Sequence, residues 1–203
     1  KDLCRALSTD IAMNQLDTVP YNDVRPGDSI ESIIHRACMS NIKSIENTKT
    51  LLNIDDLSYA VEAIVSAGRV DFYGVGTSGI VALDAQNKFM RINKITMSSP
   101  DPHSQILSAA SLKKGDVAVL ISYTGDTKDI LETADVVKQT EATMVSITRY
   151  SKNPLSERSR IGQLTVVDIL YTSVVSHEYN SVKRYLDKTR LVSTKKHIGM
   201  DAF

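Results

Sequence analysis

Cysteine is scarce: two in 203 residues are too few for a disulfide scaffold. Cys4 and Cys38 also lack metal-ligand spacing, so the plain reading is reduced thiols in an intracellular protein. An excess charge of either sign is absent too, because 24 basic and 24 acidic side chains cancel. Nucleic-acid surfaces ordinarily carry a basic excess, so this chain by itself is not read as one, which leaves room for a basic neighbouring domain. No apolar run approaches the roughly 18 residues of a membrane span. The opening "KDLCRALSTD" lacks the apolar core of a signal peptide. A soluble, cytoplasmic protein without membrane contact is expected. Methionine is missing from the first position, which points to a fragment or a processed chain. What is present is a hydrophobic fraction of 42%, enough to build the core of one domain of this length.

The opening "KDLCRALSTDIAMNQ" spaces Leu3, Leu7 and Ile11 four apart, which predicts a short amphipathic helix. The stretch "DTVPYNDVRPGDS" carries two prolines and a glycine and reads as a linker. Ser29 is a predicted N-cap, with Glu31 in the first turn, for a long helix. On that helix Ile30, Ile33, Ile34, Ala37, Cys38, Ile42 and Ile45 share one broad face. A second helix is expected from about Asp55 to Ala67, ending at Gly68.

From Val70 the pattern changes. The short apolar runs "VDFYG", "KITMS", "VAVLI" and "TMVSIT" alternate with helical segments near Gly79–Arg91, His103–Leu112 and Thr127–Gln139. That alternation predicts a mostly parallel sheet covered on both faces, a three-layer αβα sandwich. The residues from "RSRIGQL" onward read as one long helix, dense enough in apolar residues near Leu164 to Val175 to be buried. The basic residues of the tail, Lys183, Arg184, Lys188, Arg190, Lys195 and Lys196, read as a solvated face diluted by Asp187 and Asp201.

Chemistry concentrates in three loops. In "VLISYTGDTKDI" the residues Ser122, Tyr123, Thr124, Gly125 and Thr127 follow a strand and precede a helix. The carboxyl edge of a parallel sheet is where open α/β folds bind ligands. A helix beginning near Thr127 turns free N–H groups toward that edge, and the hydroxyls add donors, which suits a phosphate. The alternative is an ordinary capped helix start, and Asp126 would have to face away from any dianion. The upstream "GVGTSG" places Gly74, Gly76 and Gly79 at G-x-G-x-x-G spacing around Thr77 and Ser78. A dinucleotide site would need an acidic residue further on, where "NKITMSS" ends in hydroxyls, so a sugar hydroxyl or a phosphate fits as well. The third loop, "SSPDPHSQ", brings His103 to the start of a helix at the same edge, as a sugar contact, an acid–base group or a plain surface histidine. His35, His177 and His197 do not combine with it into a metal cluster, and no nucleophile–histidine–acid set stands out. No metal, cofactor or catalytic residue is expected.

Together "FYGVGTSGIVALDAQNKFMRI", the stretch from "SSPDPHSQ" to "TRYSKNPLS", and "SRIGQLTVVDILYT" resemble the sugar isomerase (SIS) phosphosugar-binding domain of RpiR-type bacterial transcription regulators. The resemblance runs from Ser29 to about Tyr179. It implies a flavodoxin-like fold and a division into 1–28, the end of a helix-turn-helix domain plus linker, 29–190, the SIS domain, and 191–203, a tail. By the same resemblance Gly76, Thr77, Ser78 and Gly79 form the first hydroxyl loop. Ser122, Tyr123, Thr124, Gly125 and Thr127 form the phosphate loop, with Tyr123 at a variable position, and His103 touches the sugar. The implied partners are a sugar 6-phosphate, most plausibly of an amino- or N-acetylamino-sugar, a second copy in a homodimer or larger oligomer, and DNA through an N-terminal domain. The implied function is effector sensing for carbohydrate metabolism genes, with sugar-phosphate isomerase as the alternative. One departure stands out. The family continues through a fifth strand before "SRIGQL", whereas "PLS" here meets "ERSRIGQ" at Ser156 and Glu157, as though residues were missing.

Overall fold

A computed structural model describes residues 5–8, 27–148 and 160–195. Its elements run β1 (Arg5–Ser8), α1 (Ile30–Leu51), α2 (Ile54–Ser66), β2 (Val70–Gly74), α3 (Thr77–Arg91), β3 (Thr96–Met97), α4 (Pro102–Ala110), β4 (Val117–Ile121), α5 (Lys128–Val137), β5 (Thr143–Thr148), α6 (Arg160–His177) and α7 (Tyr179–Lys195). The five strands form one sheet in the order β1-β5-β4-β2-β3, and every pairing is parallel. Helices cover both faces, so the three-layer sandwich stands. β2 and β4 are buried along their whole length, which is why they read as unbroken apolar runs.

Side-chain alternation divides the interior in two. Val70 and Phe72 of β2 join Ile64 of α2, Phe89 of α3 and Leu170 of α6 on one face. Tyr73 points the other way, to Leu120, Met144, Ala109 of α4 and Ile130 of α5. Phe89 anchors the first face, with ring centroids 5.2 Å from Phe72 and 5.9 Å from Tyr171. Burying each of these large side chains contributes roughly 1.5–3 kcal/mol.

On the second face a polar cluster ties β2 to α4. Arg69 donates from Nε and Nη2 to the two oxygens of the fully buried Asp71 carboxylate, at 2.8 and 2.6 Å. Ser108 Oγ and Tyr73 Oη donate to the same carboxylate at 2.6 and 3.0 Å. The hydrogen bond to Asp71 raises the Arg69 pKa, and burial, reinforced by the Asp71 charge, pushes the Tyr73 hydroxyl well above the usual phenol range.

Two expectations are corrected. The helix read from Leu3, Leu7 and Ile11 gives way to strand β1 at Arg5–Ser8, which pairs in parallel with Val145–Thr148. A spacing of four in so short a segment is weak, and the unpaired edge of β5 offers a full row of backbone partners. The single terminal helix divides at Glu178 into α6 and α7. α6 is buried through Val166, Val167, Leu170 and Val174, whereas only Val182 of α7 is buried among its described side chains. Lys94 holds the junction, donating to the Val65 carbonyl at 2.8 Å and pairing with the Glu178 carboxylate at 3.3 Å.

α1 begins as expected at Ser29, whose hydroxyl accepts from the Ser32 N–H at 3.2 Å. Its isoleucine face, however, is uncovered: Ile30 is 73% exposed and Ile34 58%, while the buried residues are Ser44 and Thr48. Cys38 on the same helix is a free thiol. Cys4, most of the linker and the junction at Ser156 and Glu157 lie outside the described residues. Among the described residues no helix is long and apolar enough to cross a membrane.

Candidate functional site

β2 and β4 end side by side, Gly74 opposite Ile121, so the loops that follow them rise from one point on the sheet edge. The first is closed by glycine. A Cβ on Gly74 would stand 2.5 Å from the Ser78 carbonyl oxygen, and one on Gly79 3.0 Å from the Gly74 carbonyl oxygen. This is the close strand–helix approach that the glycine spacing anticipates. Gly76 has φ +60° and open space around it, so there the requirement is conformational. Thr77, the first residue of α3, is exposed, and Ser78 behind it is buried.

The second loop is closed by hydroxyls. Ser122 is buried, and its N–H donates to the Ile147 carbonyl at 3.1 Å, extending the β4–β5 ladder by one residue. Its Oγ accepts from the Gly125 N–H at 3.1 Å and lies 3.0 Å from Thr127 Oγ1. Gly125 takes φ +75°, which turns the chain back toward α5. Thr124 and Asp126 are exposed in the loop, and Tyr123 is half-buried. A cavity of about 190 Å³ lies alongside, with Ser122 and Gly125 lining one part and Leu120, Ile130 and Met144 another.

Capping sets these two helices apart. Ser29, Asn53 and Asp101 each accept from the first turn of α1, α2 and α4. Gly76 and Thr127, the N-caps of α3 and α5, make no side-chain cap bond. Thr127 spends its hydroxyl on Ser122 instead, so the ordinary capped start is not what the loop builds. The leading N–H groups of both helices thus receive no bond from an N-cap side chain, and the helix dipoles add partial positive charge there. Such a pair of ends, flanked by serine and threonine hydroxyls, accommodates an oxyanion without lysine or arginine. Lys128, at the start of α5, is 87% exposed and reaches Glu132 at 3.7 Å.

His103 stands exposed in the first turn of α4. Asp101, the cap of that helix, accepts from the hydroxyl and N–H of Ser104 at 2.6 and 2.8 Å, and these bonds lower its pKa. Sequence reasoning missed Gln163. It is buried on α6 and shares a hydrogen bond with Ser78 at 3.2–3.3 Å, fixing the first hydroxyl loop from above. The "SRIGQL" segment was the available signal, but which of its residues faces the loop depends on how α6 packs. Among the described residues no three His, Cys, Asp or Glu side chains gather into a metal-binding group.

The profile of the SIS domain family matches residues 63–179, which include both hydroxyl loops, His103 and Gln163. The chain belongs to the SIS family. Within it, this SIS domain is 40% identical over 192 residues to an HTH-type transcriptional regulator of Caldanaerobacter subterraneus, covering 85% of this chain and 68% of the relative. It is 30% identical to the HTH-type regulator HexR of Escherichia coli, covering 83% and 68%. Among solved structures, NanR of Vibrio vulnificus complexed with ManNAc-6P superimposes with a TM-score of 0.75 at 25% identity, covering 85% of this chain and 71% of that one. A phosphoheptose isomerase of Francisella tularensis shares the fold alone, with a TM-score of 0.58, 18% identity and coverage of 72% and 98%. The HTH-type transcription regulators match this SIS domain at higher identity than the phosphoheptose isomerase does, 30–40% against 18%.

Proposed function

We propose that this SIS domain, residues 29–190 with strand β1 added to its sheet, senses an amino- or N-acetylamino-sugar 6-phosphate for a transcription regulator of carbohydrate metabolism. The carrying observation is the pair of helix starts, α3 and α5, that lack side-chain caps beside the Ser122–Thr127 hydroxyl pair. The phosphate sits on Ser122, Thr124, Thr127 and the α5 N–H groups. Thr77 and Ser78, with Gly76 and Gly79 shaping the turn, face the sugar, and His103 approaches from the third loop. The ManNAc-6P of the Vibrio vulnificus relative supports the choice of an amino-sugar.

The working unit is a homodimer, formed over the uncovered α1 face of Ile30, Ile33, Ile34, Ile42 and Ile45. In the full-length protein a helix-turn-helix domain binds DNA. The phosphosugar changes that binding only as far as it prefers one arrangement of the dimer over the other.

The test compares operator binding by the full-length protein with and without ManNAc-6P, alongside a proton-exchange assay on the same sugar. Ligand-dependent DNA binding without exchange is expected. Rapid exchange with no effect on DNA would establish an isomerase and make His103 the first base to replace.

A further inference from the structure

Where β2 and β3 end, two buried polar atoms have no hydrogen-bond partner among the described residues: Gln105 Oε1 and Ser98 Oγ. Gln105 is fully buried on α4. Its Nε2 donates to the Gly74 carbonyl at 2.8 Å and to the Ser99 carbonyl at 2.7 Å. Carbonyls only accept, so these two bonds fix which end of the amide is nitrogen and leave Oε1 as the unpaired acceptor. Buried acceptors without partners are rare in folded proteins, and those that persist are commonly served by water or a ligand. Ser98 and Ser99 are half-buried, so the corner lies close to the surface of the sheet edge.

Its position relative to the phosphate loop is informative. β4 and β3 flank β2, and each strand step is about 4.8 Å, so the corner stands on the order of 10 Å across the sheet edge from Ser122. A hexose 6-phosphate held by its phosphate at Ser122–Thr127 would extend its ring over the Gly76–Gly79 loop toward that corner. His103, two residues before Gln105, begins the same helix.

We propose that Gln105 and Ser98 form a sugar-reading corner, in which Gln105 Oε1 accepts from a ring hydroxyl or N-acetyl N–H of the phosphosugar and Ser98 Oγ bonds the same substituent. The inference rests on the phosphosugar reading above. It adds a specificity determinant at the end of the ligand opposite the phosphate.

The experiment uses the whole chain, as wild type, Gln105→Met and Ser98→Ala. Calorimetry measures ManNAc-6P, N-acetylglucosamine 6-phosphate and glucosamine 6-phosphate, and the Gly125 amide NMR shift follows inorganic phosphate. Ser98→Ala keeps both donor bonds of Gln105, so it carries the test if Gln105→Met loosens Gly74 or fails to fold. Each folded variant should lose about tenfold in affinity for the best phosphosugar while holding inorganic phosphate unchanged. Unchanged phosphosugar affinity, a parallel loss for inorganic phosphate, or a loss confined to Gln105→Met overturns the corner. Wild type that takes inorganic phosphate but no phosphosugar overturns it too and leaves the phosphate loop standing. Binding of neither removes both readings.

Discussion

The hydroxyls of Ser122 and Thr127 lie 3.0 Å apart, and this contact closes the loop between β4 and α5. Because Thr127 is engaged there, α5 starts without a side-chain cap. One bond thus shapes the loop and leaves the backbone donors of the helix for a ligand.

Ser122→Ala combined with Thr124→Ala should weaken phosphosugar binding by roughly 1.5–3 kcal/mol for each charge-assisted donor removed. Calorimetric titration with ManNAc-6P reads the loss. Equal affinity in the double variant would rule out this phosphate placement.

Gly74→Ala should destabilise the fold itself. Its Cβ would meet the Ser78 carbonyl oxygen at 2.5 Å and the carbonyl carbon at 2.7 Å, both backbone atoms that yield only if α3 shifts. Overpacking of this kind costs about 1–3 kcal/mol. Urea denaturation checks it, and a midpoint equal to wild type would show that α3 moves freely.

Charge on the α1 face should separate the subunits. Ile34→Glu with Ile42→Glu places two carboxylates on a row that is otherwise apolar and exposed. Light scattering should report a dimer for the wild type and a monomer for the double variant, each with an unchanged circular dichroism spectrum. A wild type that stays monomeric with phosphosugar present removes the dimer.

Tyr73 predicts a loss of stability in alkali. Burial, then the Asp71 charge, raises its pKa in the folded state above the ordinary phenol value of roughly 10. A raised pKa means that its contribution is fully present below the unfolded value and fades as pH climbs toward the folded one. The Tm should therefore fall more steeply above about pH 10 in the wild type than in Tyr73→Phe. Parallel curves would show that Tyr73 does not titrate with unfolding.

The three central strands, β2, β4 and β5, were legible because each is a short apolar run between turn residues, and a sheet covered on both faces needs that composition. The glycine and hydroxyl loops were legible for a related reason: close approach at Gly74 and Gly79 leaves a local signature. Gln163 was not, since its partner Ser78 is 85 residues away and only the packing of α6 joins them. The uncovered α1 face was seen as apolar, but no local pattern says whether such a face meets its own core or another surface. β1 was misread for the opposite reason. Its local pattern was present but weak, and a long-range pairing decided the outcome.

That pairing also bears on how the molecule is made. Arg5–Ser8 takes its strand pairing from Val145–Thr148, so it leaves the ribosome long before that partner exists. Until β5 emerges, the early segment has no strand to pair with. Until the two meet, β5 presents an open edge to any other extended chain. Closing so long a loop is slow compared with forming α1 or the β2–α3 turn. The outer edge of this sheet should therefore be the last part to order during synthesis, and the part that neighbouring nascent chains can most readily occupy.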